Sequence, residues 1–465
     1  MLLVLTAALA IVVQDHAALR SAPRANATEL STLWQGDLVE LRGERAGYLK
    51  VYNYRRERGG YLRRESVRSV GFTAAEAPEL LAVLRFLRDT PGAEALGISY
   101  GAAYLKAVPA QQLSAEPFEA IGRMAERLAD QASGGSARAA VAAHLEVVEQ
   151  FGVHMHSFER NGRIQVCYDG ELYRQLLRLR GAPAEARASA ALGLTRPDCI
   201  DPALGPLARR ALDDVRRELL ESVDLRDVSA QTRSRVHARR AAVWATVAYE
   251  EARVGQSATA SARRALDELL AVRADELGED RRAEYIDAGV RVGVIRFAAL
   301  DPAPLAGGFT LTTARGAPGQ TCIMLAARTA PGAVLVRRCT YGIVWLASAQ
   351  VTAQGRALVL AVQPLESWRE LWVFHPGADG WTIDVLSPGS DEPEEGYVEF
   401  AGFAPATGRL LVAREVQEHG RFSRRFEELR LSDLALVKQA STPELLADFG
   451  RWQDIAWRRD TLALR

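Results

Sequence analysis

The chain has 465 residues, which at about 150 residues per domain suggests about three domains. Its apolar fraction of 48% allows each domain a hydrophobic core. Basic and acidic residues number 58 each, so the net charge is close to zero. Without a basic excess the chain has no overall field to attract nucleic acid or an anionic membrane, and no nucleic-acid partner is expected.

The N-terminus begins with the apolar run MLLVLTAALAIVV. A run of this length suits the core of a signal peptide and is too short for a membrane span of ~20 residues. We expect residues 1–14 to be part of a signal peptide, although no lysine or arginine precedes the run. The alternative is a buried first strand. No later segment approaches the ~18 uninterrupted apolar residues of a membrane helix, so no transmembrane segment is predicted.

The four cysteines support export. They form no C-x-x-C pair, which excludes zinc ribbons and thioredoxin-like redox sites. Of the three possible pairings, the one between neighbours is favoured because each neighbouring pair lies within one structural region. It joins Cys167 to Cys199 and Cys322 to Cys339. Disulfides imply a periplasmic or secreted protein; the alternative is four buried thiols in a cytosolic one.

Residues 15–70 alternate short apolar runs with turn signals. In LVELRGE, Val39 and Leu41 point to one side and Glu40 and Arg42 to the other. This period of two predicts strands with one buried face, and several short strands in so few residues predict a small β-barrel.

The same segment resembles the bacterial SH3-like (SH3b) domain over residues 17–68. The resemblance rests on LRSAP, LWQGDLVELRGE, GYLKVYNY and GGYLRRESV. It implies an SH3-like barrel that either binds cell-wall peptides or polymers or packs against a neighbouring domain.

Aromatic side chains beside arginines mark the candidate binding residues of this module. Such a surface can stack on sugars or pair with carboxylates. The alternative is a set of half-buried strand tyrosines with a solvated arginine rim. The candidates are Tyr48, Tyr52, Tyr54, Arg56 and Tyr61.

Residues 72–300 have helical periodicity and predict a helical bundle or short solenoid. One αα-hairpin, 235–254 with 258–275, loosely resembles a tetratricopeptide repeat. The helices are interrupted at 153–169, where Asn161-Gly162 between two alternating runs predicts a β-hairpin. For 280–298 the pattern leaves helix and strand open.

Two motifs in this region have a chemical and a structural interpretation. Gly97-Ile98-Ser99-Tyr100-Gly101 matches the G-x-S-x-G nucleophile elbow, but no strand leads into it, so a closely packed helix is preferred. His154 and His156 face one side of a strand and would suit a metal, yet a site needs three or four ligands. We therefore predict no catalytic residue, no metal and no cofactor.

The C-terminal region, 305–441, repeats at an offset of 53–54 residues. Residues 343–364 match 397–416, and later strands match at a similar offset, giving four strands per unit. These units resemble β-propeller blades, and the preceding stretch from FTLTTAR to AVLVRRCTY supplies about one more incomplete unit. Three units are too few to close a propeller, which leaves an oligomer open. Residues 442–465 predict a final helix that covers an open edge.

Together these features predict a multidomain α+β protein: an SH3-like β-barrel, a helical middle with a β-hairpin, and a propeller-like β region. The function they favour is non-catalytic, a binding or scaffold protein of the cell envelope with an unknown protein or cell-wall partner. Two alternatives stay open. One is an enzyme acting on cell-wall material, and the other is a structural accessory of an envelope assembly or secretion complex.

Overall fold

The computed structural model describes residues 8–134, 139–301, 305, 308–330, 332–352, 355–389, 395–418 and 421–460. Within them the chain is mixed α+β, as predicted, with several separate sheets. None of the helices in these ranges combines the length and apolar character that a membrane span requires.

The chain divides into two compact units. The first comprises Met1–Arg209 and Glu218–Thr232, and the second comprises Arg210–Arg217 and Arg233–Arg465. The division falls inside the helical segment, and the boundary predicted near residue 300 lies within the second unit. The reason is that the later helices bury their alanines and valines against the strands of the second unit, as described below.

A seven-stranded antiparallel sheet begins the first unit. Side chains from both ends of the sheet, Leu33 and Val67, enter one core with Val39, Val51 and Leu62. No pairing joins the two end strands within the described residues, so the sheet wraps around its core without the closed barrel that was predicted. Its order is β3-β2-β6-β5-β4-β1-β7, with β1 (Ala8–Val12), β2 (Ala17–Arg20), β3 (Glu29–Leu33), β4 (Leu38–Arg45), β5 (Tyr48–Asn53), β6 (Arg58–Arg63) and β7 (Val67–Val70).

Strand β1 comes from the apolar run at the N-terminus. It pairs with β4 on one side and β7 on the other, and Ala10, Ile11 and Val12 are completely buried. Residues 8–12 thus form the buried first strand that was the alternative to a signal peptide. A cleavage after residue 14 would remove a strand with two neighbours; residues 1–7 lie outside the described part of the chain.

The remainder of the first unit is mostly helical, as predicted. Its hairpin turns at Asn161-Gly162, where both residues have positive φ (52° and 71°), as the tight turn of a two-residue hairpin requires. Trp34, which directly follows β3, packs into the helical core with Ile98 and Val147. The elements are α1 (Ala77–Arg88), α2 (Glu94–Ala107), α3 (Glu116–Ser133), α4 (Ala139–Glu149), β8 (Met155–Arg160), β9 (Arg163–Tyr168), α5 (Glu171–Arg178) and α6 (Ala184–Leu194).

Four further helices follow: α7 (Pro206–Glu221), α8 (Ala230–Arg253), α9 (Thr259–Leu270) and α10 (Glu279–Ile295). Helix α10 covers most of residues 280–298, for which the sequence pattern fitted both a helix and a strand. Ala288, Val292 and Ile295 of α10 pack with the alanines of α8 and α9, while Val290 and Val294 pack against Tyr397 of the following β region. A helix buried on two faces has no clear periodicity, which explains the ambiguity.

The β region has a three-stranded sheet and an eight-stranded sheet. The first contains β10 (Phe309–Arg315), β11 (Thr321–Ala327) and β12 (Val334–Thr340) in that order. The second contains β13 (Ile343–Val351), β14 (Leu358–Leu365), β15 (Trp368–Gly377), β16 (Gly380–Leu386), β17 (Glu395–Ala404), β18 (Arg409–Glu418), β19 (Arg421–Arg430) and β20 (Leu436–Ala440).

The eight strands form two successive antiparallel meanders, β13–β16 and β17–β20. Gly355 and Gly408, matched in the sequence repeat, both have positive φ (62° and 63°) in the corresponding turns. The meanders share one sheet because β15 and β17 pair in parallel, Trp368 with Gly396 and Arg369 with Tyr397. The strand count per repeat agrees with the prediction, and the described strands form no closed propeller.

At the C-terminus two short helices, α11 (Ala447–Trp452) and α12 (Ile455–Asp460), replace the single helix that was predicted. Phe449 and Trp457 pack with Phe426 of β19, their ring centroids 5.7 and 6.3 Å from it. Leu446 is also buried, whereas Leu445 is 72% exposed.

Candidate binding site

Three of the predicted binding tyrosines lie on one face of the first sheet. Tyr48 and Tyr52 alternate along β5 with residues of the core side, such as Val51. Tyr61 of β6 pairs directly with Lys50, which lies between the two β5 tyrosines. Paired residues of antiparallel strands share a face, so these side chains project to the side opposite the core. We call Tyr48, Tyr52 and Tyr61 the tyrosine face.

Tyr54 extends the tyrosine face at one end. Its ring meets that of Tyr52 edge-on, with centroids 5.0 Å apart, and 61% of Tyr54 is exposed. Its hydroxyl donates a hydrogen bond of 3.0 Å to Glu40 Oε2. The Arg42 guanidinium lies 4.2 Å from the centre of the Tyr52 ring and 2.7 Å from the same carboxylate. Two rings and a cation are therefore held together at the surface.

The charges of this cluster are well defined. Hydrogen bonds from Arg42 and Tyr54 lower the pKa of Glu40, and the bond to Glu40 raises the pKa of Arg42. The pair lies at the surface, so it orients the side chains and contributes little stability. At the other end of the face Arg63 lies opposite Tyr48, and its hydrogen bond to Glu65 raises its pKa. Such a surface can stack on a planar or sugar face and pair with a carboxylate.

Arg56, the fifth candidate, lies apart from the strand positions of the tyrosine face. It is in the turn after β5, where its backbone N–H donates to Asn53 Oδ1 at 2.8 Å. The neighbouring Arg55 has the structural role instead. It pairs with Asp37, which is completely buried, at 3.0 Å and with Glu146 of α4 at 2.9 Å, and so ties the sheet to the helices.

A second polar cluster in the first unit was not found from the sequence. His144 Nε2 lies 2.8 Å from Asp15 Oδ1, although the two residues are 129 positions apart. The Gln35 side chain contacts Asp15 and donates to the Gly92 carbonyl at 2.7 Å, and the Trp34 ring meets His144 edge-on. No local motif signals this contact, because it depends on how the sheet packs on α4.

Of the two motifs with a chemical interpretation, the G-x-S-x-G segment forms a helix, as preferred. Ser99 is completely buried within α2, and its hydroxyl donates to the carbonyl oxygens of Ala95 and Gly36. His156 is exposed on β8 and stacks on Phe158. In the described ranges no group of three or more His, Cys, Asp or Glu side chains is arranged to hold a metal ion.

Both predicted disulfides are present, Cys167–Cys199 and Cys322–Cys339. The first fixes β9 to the short 3-10 turn Pro197–Cys199. The second joins residues that are direct partners in the β11–β12 pairing. These bonds are consistent with a periplasmic or extracellular protein.

In the second unit a buried ion cluster joins the strands to the helices. Glu399 Oε1 accepts from Arg296 at 2.8 Å and from Arg369 at 2.7 Å, and Glu399 Oε2 accepts from the Trp457 indole at 3.0 Å. Arg369 also donates to the backbone carbonyls of Gly293 and Val294 at the end of α10. Burial opposes ionisation of Glu399, yet the two arginines lower its pKa to about 2. Burial lowers the pKa of Arg369 to about 10.

A further cluster surrounds Arg291 of α10 with three carboxylates. The guanidinium lies 3.1 Å from Asp287 and 3.4 Å from Glu366, and it also contacts Glu395. Burial and the nearby Asp287 carboxylate raise the pKa of Glu395 to about 9, although the positive charge of Arg291 acts to lower it. Each of these carboxylates is held by Arg291, which identifies a structural cluster rather than a substrate site.

Comparisons with known proteins identify no relative: no protein-family model matches the chain, and no curated protein or solved structure gives a significant match.

Proposed function

We propose that this protein is a non-catalytic binding or scaffold protein of the cell envelope, and that it contacts its partner through the tyrosine face with Tyr54 and Arg42. The observation that carries the proposal is the surface cluster in which Arg42 lies over the Tyr52 ring and Tyr54 meets that ring edge-on. Exposed aromatics beside cations are typical of surfaces that bind sugars and carboxylates.

The resemblance to SH3-like domains supports this proposal. It covers residues 17–68, which contain strands β2–β6 and form the surface that bears the tyrosine face. The blade-like meanders and the helices would then present that module to the envelope. The two disulfides are consistent with such a location.

The ligand class that fits this surface is a cell-wall polymer or peptide. Its sugar rings would stack on the tyrosines, and its carboxylates would pair with Arg42, Lys50 and Arg63. Glu40 has a different role. It accepts from Arg42 and Tyr54 and fixes their orientation, so we expect its removal to weaken binding through disorder of the surface and not through loss of a contact.

The test is a pull-down of the full chain with purified peptidoglycan. We expect retention of the wild type and at least about a tenfold loss of affinity for Tyr52→Ala and Tyr54→Ala, since the removal of a central aromatic costs roughly 2 kcal/mol. Arg56→Ala, which lies off the tyrosine face, should bind like the wild type. Tyr341→Ala is the matched control, because Tyr341 is 64% exposed but belongs to the second unit.

No retention of the wild type would contradict the proposal. It would leave the first sheet as a packing module, and attention would turn to the alternative of a structural accessory with a protein partner. Equal losses for Tyr54→Ala and Tyr341→Ala would likewise show that the tyrosine face is not the binding surface.

A further inference from the structure

We propose that the Cys322–Cys339 bond is a site of thiol–disulfide exchange, opened by a dithiol reductant that attacks Cys339 and displaces Cys322. The feature that suggests this is a cation beside one of the two sulfurs. Arg337 Nη2 lies 3.2 Å from Cys322 Sγ. At the other disulfide, the neutral amide of Gln165 lies 3.9 Å from the Cys167 sulfur.

The pairing of β11 with β12 explains why Arg337 reaches this sulfur. Cys322 is paired with Cys339, and Met324 is paired with Arg337. Residues two apart on a strand share a face, so Arg337 lies on the same face as the disulfide and diagonal to Cys322. The adjacent Arg338 lies on the other face, where it donates to the Ile383 carbonyl and lies over the Trp372 ring.

Burial assigns different roles to the two sulfurs. Cys322 is completely buried, whereas Cys339 is half-buried on the edge strand β12. An incoming thiolate therefore reaches Cys339. The displaced sulfur is Cys322, which leaves as a thiolate beside the Arg337 guanidinium, and a stabilised leaving thiolate accelerates exchange.

The exchange takes place in two balanced steps. The reductant thiolate forms a bond to Cys339 Sγ as the Sγ–Sγ bond breaks, and the electron pair of that bond goes to Cys322 Sγ. The second thiol of the reductant then attacks the mixed disulfide and releases Cys339. The dithiol is oxidised to a disulfide, and the two cysteines are reduced and take up the two protons that the dithiol has lost. The result is the loss of the covalent link between β11 and β12.

The experiment uses oxidised full-length protein and limiting dithiothreitol. Samples are quenched over time with N-ethylmaleimide and mapped by mass spectrometry. We expect Cys322–Cys339 to open about tenfold faster than Cys167–Cys199. Arg337→Gln should slow that opening about fivefold and leave the other disulfide unchanged, while the matched control Arg338→Gln should retain the wild-type rate.

A second measurement identifies the attacked sulfur. With glutathione in place of dithiothreitol, the trapped mixed disulfide should be on Cys339 and the free thiol on Cys322. Equal opening rates for the two disulfides, a mixed disulfide on Cys322, or equal effects of Arg337→Gln and Arg338→Gln would each overturn the proposal. Circular dichroism of both variants verifies that each is folded, and both residues are exposed in the native protein.

Discussion

Arg369 Nη2 lies 2.7 Å from Glu399 Oε1. Both residues are buried: Arg369 is completely inaccessible to solvent, and Glu399 is 2% exposed. Arg369 is on β15 and Glu399 is on β17, the two strands whose short parallel pairing joins the meanders. The ion pair therefore lies where the two sequence repeats meet. A buried pair of this kind adds little net stability over an apolar pair, yet the loss of one partner is costly because the other charge stays buried.

Replacement of the carboxylate should destabilise the second unit strongly. Glu399→Gln removes the negative charge that Arg296 and Arg369 share and leaves two buried cations without it, and we expect the free energy of unfolding to fall by about 3–5 kcal/mol. Urea denaturation measures this change. Glu65→Gln is the control, since its pair with Arg63 is exposed and should contribute less than about 1 kcal/mol. Similar losses for both variants would contradict a dominant role for the buried cluster.

The same carboxylate should determine part of the acid sensitivity. The pKa of Glu399 is about 2 in the folded protein, below its ordinary value of 4.5. Its contribution to stability is thus complete above pH 4.5 and is lost as the pH falls from 4.5 towards 2. The full loss amounts to about 3 kcal/mol. The stability of the wild type should therefore fall more steeply over this window than that of Glu399→Gln; parallel curves would exclude the assignment.

The glycines of the G-x-S-x-G motif should prove to be packing residues. A Cβ on Gly101 would lie 2.6 Å from Cγ1 of Ile121, a branched side chain that cannot easily move aside. A Cβ on Gly97 would instead meet the flexible end of the Met124 side chain, which can move. We expect Gly101→Ala to cost about 1–3 kcal/mol in thermal or urea unfolding, with a smaller loss for Gly97→Ala. Gly450→Ala, in a helix with open space around it, should be neutral or stabilising by up to about 1 kcal/mol.

The structural role of strand β1 can be tested by placing a charged side chain at one of its buried positions. Ile11→Asp places an unpaired carboxylate in a completely buried position, and we expect little or no folded first unit, as judged by limited proteolysis. Ala8→Asp, at the exposed end of the same strand, should fold normally. If residues 1–14 were removed as a signal peptide, neither substitution would change the mature protein, and that result would contradict a structural role for β1.

Much of the local structure was predictable because it depends on short-range patterns. The helical period predicted the helical region and its αα-hairpin, whose second helix ends at Leu270, a few residues earlier than predicted, and Asn161-Gly162 identified the β-hairpin. The period of two predicted the strands of the first sheet, and in the structure the alternation of β5 puts Tyr48 and Tyr52 on one face. The sequence grouped Arg56 with these tyrosines. It could not show that β5 ends at Asn53, so that Arg56 lies in the following turn and not on the strand face.

The candidate site was predictable only in part. The tyrosines were found from composition and spacing, but the cation over Tyr52 comes from Arg42, at a bulge in the pairing of β4 with β5. Arg337 lies beside Cys322 for a similar reason, since the β11–β12 register and not the chain order sets their distance.

The sequence by itself determined most of the secondary structure, the pairing of neighbouring cysteines and the four-stranded repeat, because each follows from periodicity or from groups close along the chain. Only the tertiary structure decided the contacts of residues far apart, such as His144 with Asp15 and Arg369 with Glu399. It also decided that the apolar run at 8–12 is a strand. The physical reason is that burial and hydrogen-bond partners are properties of packed elements, and a charge or an apolar run has the same sequence signature whether it is buried or exposed.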